Sequence, residues 1–353
     1  MIYFEAKAAQ ECPIVKKISI KDLTVATGLS RATIDRALND RGSVHPRTRK
    51  VIETALEELR AGGPAAAALD LPLDIVLRVG RGMLAQVSAT LATLGLPSVL
   101  LHDMYQKDEA EILDLARALA ADPRRPLILT AKNSEPLRAE LAAARARGKR
   151  IITFISDLPH DARDAFVSID NRMAGECAAF VLGGLFRERA ARFGVVIGDY
   201  AFSCHEEREM GFRSHLRARF PKVSLVHEAR GEDSYEGTRE AAADMLAAHP
   251  DLDAIYNVAG GNAGLAEALR SARPGRRPVL LSHEANHITT PLLREGIIDY
   301  VLAQDTGAML RRALRLATLP SLAEEDEIHH VDFGVYTRFN IPGFVSPARE
   351  GDG

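Results

Sequence analysis

Tryptophan is absent from this 353-residue chain, and aromatic residues make up only 5% of it. Any stacking contact with a ligand must therefore come from a Phe or a Tyr. Cysteine is scarce too. Cys12, Cys177 and Cys204 are odd in number and far apart, so they make no CxxC pair and no disulfide framework, which fits a reducing cytoplasm. No stretch approaches the roughly 18 consecutive apolar residues that a transmembrane helix needs. The opening MIYFEAKAAQECPIVKK has no basic segment leading into an apolar run, so no secretory signal is expected. Neither sign of charge dominates: 45 Lys and Arg face 48 Asp and Glu, a net −3 that argues against a uniformly basic nucleic-acid binder.

Catalytic signatures are missing as well. There is no GxxxxGKS/T phosphate loop, no HExxH and no GxSxG. His329–His330 lack companions at metal-ligand spacing. AGGNAG (259–264) departs from GxGxxG and comes late in the chain, not after a first strand. Cys204 and His205 are sequence neighbours, but a nucleophile and its base need proximity in space. No catalytic residue, metal or cofactor is therefore expected.

What is present is a globular composition, 46% apolar and 26% charged, long enough for two or three domains. The charge is also unevenly placed. Lys16–Lys50 carries nine Lys and Arg against three Asp and Glu, and the remainder is acidic on balance. A small basic module joined to a larger acidic body would give this split; so would a solvated basic face. Within the basic segment, Leu23 and Ala26 mark one face of a short helix and Gly28 suits a turn. Ser30 suits the N-cap of a second helix, Arg31 to Asn39, whose Ile34, Ala37 and Leu38 face inward. Pro46 suits the start of a third helix striped by Val51, Ile52, Ala55, Leu56 and Leu59. This is a helix-turn-helix layout.

The words SIKDLTVATGLSRATIDRALN and VHPRTRKVIETALEEL, within Ile18–Leu59, resemble the DNA-binding headpiece of the lactose-repressor (LacI/GalR) family. The resemblance implies a DNA-contacting set of Ser30, Arg31, Ala32, Thr33, Arg36, Asn39 and Ser43. Arg31 and Ala32 take base-reading positions, Arg36 reads bases or clamps phosphate, and Thr33, Asn39 and Ser43 touch phosphate. Asp35 would pair with Arg31 or Arg36, or accept from a cytosine amine. His45 departs from the family's small hydroxyl cap. AGGPAAAALDLP (61–72) reads as a linker. In the family a hinge helix here wedges a leucine into the minor groove, which would make Leu69 a DNA contact; a flexible alanine-rich tether is the alternative.

From Leu73 onward apolar runs alternate with helical segments. Nine strands are expected at 73–79, 98–103, 126–130, 150–156, 194–199, 222–228, 253–258, 278–283 and 299–303. Helices at 108–121, 134–147, 174–191, 234–248 and 305–319 fill gaps between them. The pattern resembles the type I periplasmic-binding-protein fold that forms the family's sensor half. The expected architecture is an all-α helix-turn-helix headpiece (1–62), a hinge or linker (63–72) and an α/β sensor (73–353) of two doubly wound parallel-sheet lobes. One lobe would hold 73–170 and 305–328, the other 171–304 and 329–342, with crossings near 170–171, 304–305 and 326–330.

Strand-end residues that match the family's pocket are Asp157, Asn171, Arg208, Asn262, Glu284 and Gln304. Carboxylates, amides and a guanidinium are what a buried polyol needs, because every hydroxyl wants a partner. An Arg in the pocket also suits a carboxylated ligand, so an acid sugar stays open. Stacking would rest on Phe154, Tyr200, Phe202 or Tyr256. The function this implies is a cytoplasmic, homodimeric transcriptional regulator of the repressor type. Its partners would be a pseudo-palindromic double-stranded operator and a sugar or polyol effector, with no membrane. A rival is a helix-turn-helix fused to a catalytic α/β domain acting on a small carbohydrate. A transport sugar-binding protein is a third class, which the absent export signal and the basic headpiece oppose.

Overall fold

The computed structural model describes residues 18, 20, 23, 31–39, 44–45, 48–49, 52–53, 55–56, 71–272, 277–322 and 327–345. The chain divides into two compact units, Met1–Ala65 and Ala66–Gly353. Ser30, Ser43 and Leu69, with Gly28, Pro46 and most of 61–72, lie outside the described residues.

In the first unit, helix α1 spans Arg31–Leu38. Ile34 and Ala37, three residues apart on one face, join Leu23, Ile52 and Ala55 in a small buried cluster. Leu38, expected inside, is exposed. Arg49 ties the cluster's two sides by donating to the Ala37 carbonyl at 3.1 Å. The Asn39 amide donates to the carbonyl (3.1 Å) and carboxylate (2.8 Å) of Asp35, closing the helix end. Asp35 thus has Asn39 as a partner, where the sequence pointed to Arg31, Arg36 or a cytosine amine.

The second unit holds two sheets. Strands β1 (Leu73–Leu77), β2 (Val99–Asp103), β3 (Leu127–Thr130), β4 (Ile151–Phe154) and β5 (Ala165–Ser168) belong to the first. Strands β6 (Ala191–Ile197), β7 (Val223–Arg230), β8 (Ala254–Asn257), β9 (Val279–His283) and β10 (Tyr300–Gln304) belong to the second. β11 (Ile328–His330) and β12 (Phe333–Tyr336) add one edge strand to each, giving β2-β1-β3-β4-β5-β11 and β7-β6-β8-β9-β10-β12. All pairings are parallel except β10 with β12. β1, β3, β4 and β5 are buried along their whole length, because helices cover both faces of a parallel sheet. Each such Leu, Ile or Val contributes about 1.5–3 kcal/mol.

The helices are α2 (Arg81–Leu94), α3 (Glu109–Ala120), α4 (Glu135–Ala146), α5 (Asn171–Leu185), α6 (Ser203–Arg219), α7 (Tyr235–Ala248), α8 (Asn262–Ala272), α9 (Thr289–Glu295) and α10 (Thr306–Thr318). α10 follows β10 of the second sheet but packs on α2, β3, β4 and β5 of the first. The helix expected over 174–191 begins at Asn171, where the Asp170 carboxylate accepts from the Met173 N–H at 2.8 Å, and ends at Leu185. Ala191 already opens β6. β5, β11 and β12 were not anticipated: each has only three or four residues. The last crossing falls after His330, not near 326–330, because β11 stays paired with β5 through His330 and Ser168.

Both sheets share one order, second strand outermost, then first, third, fourth and fifth. A doubly wound sheet opens a crevice where the connections change side, here between β1 and β3 and between β6 and β8.

Candidate functional site

One cavity of about 130 Å³ lies at the carboxyl ends of strands from both sheets. The first lobe supplies Arg78–Gly82 after β1, Tyr105 after β2, Thr130 of β3 and Ile155 after β4. The second supplies Phe202, Cys204, His205 and Arg208 after β6, Asp233 after β7, Gly260–Asn262 after β8, and Glu284 and Asn286 after β9.

The lobes build their walls alike. Ile155 directly follows β4 and Glu284 directly follows β9, and both adopt left-handed backbone, φ 70° and 68°. Each N–H donates to the next strand, Ile155 to the Val167 carbonyl at 3.0 Å and Glu284 to the Leu302 carbonyl at 2.8 Å. Such a conformation costs a non-glycine residue on the order of 1–3 kcal/mol and persists where surrounding bonds dictate it. Asp233, after β7, is also left-handed at φ 56°.

Arg208 on α6 is 4% exposed. Its Nε donates to Asn171 Oδ1 and its Nη1 to the Val258 carbonyl, both at 2.9 Å. Small residues allow this approach of α5 and α6: a Cβ on Gly175 would stand 2.0 Å from the Arg208 carbonyl oxygen, and one on Gly211 would stand 2.2 Å from that of Arg172. Beside Arg208, His205 Nε2 faces Asp233 Oδ2 at 3.6 Å, and Asp233 Oδ1 accepts from the Gly260 N–H at 2.7 Å. Burial alone would keep the imidazole neutral, but Asp233 and Cys204 outweigh it and raise His205 to about 9. Burial also pushes Glu284 up, against the pull of Arg208. Glu284 accepts from the Asn286 amide at 3.1 Å.

Of the sequence-predicted ligand residues, Arg208, Asn262 and Glu284 line the cavity. Asp157, Asn171 and Gln304 do not. Asp157 is taken by Arg163 at 2.8 and 2.9 Å and by the Thr153 hydroxyl at 2.6 Å. Asn171 stands behind Arg208 as its support. Gln304 ends β10 opposite Phe333. The Asn262 carbonyl oxygen already accepts from Asn257 and Ser282, which leaves its amide group for a ligand. Among the expected aromatics Phe202 alone lines the cavity; Phe154 and Tyr256 are fully buried in the core, and Tyr200 packs on Arg230. Sequence reasoning missed Arg78, Arg81, Tyr105, His205, Asp233, Tyr235 and Asn286. The strand-end rule would have reached Arg78, one residue beyond β1. Among the described residues no group of three His, Cys, Asp or Glu could hold a metal, and no helix is long and apolar enough to cross a membrane.

Residues 72–319 match the family model described as periplasmic binding protein domain. The fold is similar to an ABC transporter solute-binding protein from Burkholderia graminis C4D1M in complex with D-arabinose (TM-score 0.69, 18% identity, 77% of this chain and 97% of that one). It is also similar to GanP, a glucose-galactose binding protein from Geobacillus stearothermophilus (0.66, 18%, 76% and 98%). AraP, an arabinose binding protein of the same organism, matches at 0.60 and 21% identity over 78% and 100%. A stretch of 76 residues is 36% identical to 1-deoxy-D-xylulose 5-phosphate reductoisomerase of Janthinobacterium sp. (strain Marseille) but spans only 20% of that enzyme and 22% of this chain.

These matches bear out the sensor fold that the lactose-repressor resemblance implied and correct the function drawn from it. The family is that of a periplasmic binding protein domain and the similar structures are sugar-binding proteins, one of them of an ABC transporter, not transcriptional repressors, so the regulator reading and its operator-DNA partner are withdrawn. The cytoplasmic assignment goes with them, since the family matched is a periplasmic binding protein domain. The protein binds rather than catalyses, as the sequence indicated. With its model matched over 248 of 353 residues, the chain belongs to the periplasmic binding protein domain family.

Proposed function

We propose that the protein is a solute receptor that takes a small sugar or polyol into the interlobe cavity and works outside the cytoplasm with a transporter. One observation carries the reading: a single cavity gathers three guanidinium groups, two carboxylates and two carboxamides from strand ends of both lobes. A sugar hydroxyl both donates and accepts, so a wall mixing Arg208 and Arg78 with Asp233, Glu284, Asn262 and Asn286 can satisfy several at once. Phe202, Ile155 and Ile288 supply the apolar surface that a sugar ring's C–H face requires. Arg208, Asn262 and Glu284 are the ligand contacts carried forward from the sequence. Residues 1–62 we read as a small helical module joined to the receptor (73–353) through 63–72; the division of the chain after Ala65 supports this.

Isothermal titration and thermal unfolding of the full chain with pentoses, hexoses and polyols test the proposal. Saturable binding is expected, with the sugar recovered unchanged. Ligand at a hundred times its Kd should add about 2.7 kcal/mol of stability. A set of sugars and polyols that all leave the melting temperature unmoved would overturn the proposal.

A further inference from the structure

We infer that the sugar this receptor takes carries a carboxylate, held by Arg78. This rests on the receptor reading above and narrows it to one class of ligand.

The cavity's charges are mostly matched in pairs. Arg81 is bound to Asp103 at 3.1 Å. His205 faces Asp233 at 3.6 Å. Arg208 and Glu284 attract each other across the second lobe's wall. Arg78 has no such partner: it makes no ion pair among the described residues, and its buried Nη1 has no hydrogen-bond partner. Its guanidinium lies 6.0 Å from the centre of the Phe202 ring, and its backbone N–H is spent on the Thr130 carbonyl. A guanidinium N–H withdrawn from water without an acceptor is unfavourable, and a carboxylate is the acceptor the planar fork fits.

The adjoining backbone favours the same charge. α2 starts three residues beyond Arg78, and its N-cap, Gly80, also lines the cavity and offers no side chain to the first-turn N–H groups. Such groups attract anions. The arrangement of charge bears on the valence. Arg78 brings one positive charge without an acidic partner among the described residues, while Asp233 and Glu284 stand on the facing wall. One carboxylate answers that charge, whereas a dianionic phosphate would bring a second negative charge toward both wall carboxylates.

Titration calorimetry of the full chain at neutral pH tests this with matched ligands: D-galactose and D-galacturonate, D-glucose and D-glucuronate, D-glucitol and D-gluconate, and D-glucose 6-phosphate. At least one acid should bind on the order of 10- to 100-fold tighter than its neutral counterpart. Arg78→Gln should shrink that ratio to within about threefold, and Arg78→Lys should restore part of it. The ligand-free Arg78→Gln protein should melt no lower than the parent, since it loses a partnerless guanidinium; a packing role would lower it. Neutral sugars binding as tightly as acids, or the phosphate binding tighter, would overturn the carboxylate while leaving a sugar receptor. An acid preference that survives Arg78→Gln would overturn the role of Arg78. Failure of every compound to bind would remove the receptor reading and this inference together.

Discussion

Arg208 reaches the cavity in a fixed pose because Asn171 and the Val258 carbonyl take two of its N–H groups. Pre-set donors lose less freedom on binding, so the support matters as well as the contact. Asn171→Ala should weaken sugar binding on the order of 10-fold without touching the ligand, and Arg208→Ala should weaken it further; calorimetry giving parental affinity for Asn171→Ala would refute the positioning role. Asp157 should behave in the opposite way. It shares Arg163, itself 4% exposed, with Glu327 at 3.0 Å, so Asp157→Ala leaves that buried cation one carboxylate short and should cost about 1–3 kcal/mol in urea unfolding. Ligand affinity of the folded Asp157→Ala protein should stay at the parental value. His205 sets a pH dependence. Its folded value of about 9 lies above the ordinary 6.5, so the stability it contributes is complete below 6.5 and lost as pH rises through about 9. Urea unfolding from about pH 6 to about pH 10 should show that loss, and His205→Gln should flatten it. Arg208 and Glu284 were legible in the sequence because each follows a recognisable strand at a family-like position. His205 was not, because its significance lies in the Asp233 carboxylate that reaches it across the fold, and Arg78, though within reach of the strand-end rule, stands out only by the absence, among the described residues, of an acid beside it.

At the scale of elements, Lys149 joins three segments. It is 2% exposed, and its ammonium donates to the carbonyls of Leu119 (2.7 Å), Asp122 (3.0 Å) and Arg125 (2.7 Å). α3 ends at Ala120, so the charge sits at the negative end of a helix dipole and takes carbonyls the helix cannot satisfy. Lys149→Met keeps the apolar stem but orphans those carbonyls, and should cost roughly 1–3 kcal/mol by urea unfolding, with sugar affinity unchanged. A Lys149→Met protein as stable as the parent would show that water replaces the ammonium. Lys149 looked like an ordinary surface lysine in sequence, since nothing local marks a side chain that spans to a helix end. Strands were easier to read. β1, β3, β4 and β9 announce themselves as apolar runs because a parallel sheet is covered on both faces. β11 escaped notice because IHH is exposed at two of its three positions and pairs along one edge only.

At the scale of the whole molecule, the two lobes are joined around the cavity by contacts that depend on their approach. Gln86 of α2 donates to the Ala285 carbonyl at 2.7 Å, the Asn133 N–H to the Ala201 carbonyl at 2.8 Å, and the Asp157 N–H to the Ser203 hydroxyl at 2.8 Å; Lys132 pairs with Asp199. Two lobes were foreseeable, because that many strands exceed one sheet. The fit between them was not, since it turns on Gly82, whose neighbour in space is a residue of the other lobe. A Cβ on Gly82 would stand 2.1 Å from the Asn286 amide nitrogen. Asn286 cannot easily yield, because its Oδ1 accepts from the Ile288 and Thr289 N–H groups and its amide donates to Glu284. Gly82→Val should therefore act as a wedge that disfavours the approached arrangement. A ligand that needs both walls then binds only the fraction in which they meet, so cutting that fraction to about one part in a hundred weakens binding about 100-fold. Small-angle scattering with saturating sugar should contract the parent protein and leave Gly82→Val extended at the same concentration. Equal contraction and equal affinity in the two proteins would mean that the lobes bind sugar without closing on it through this contact.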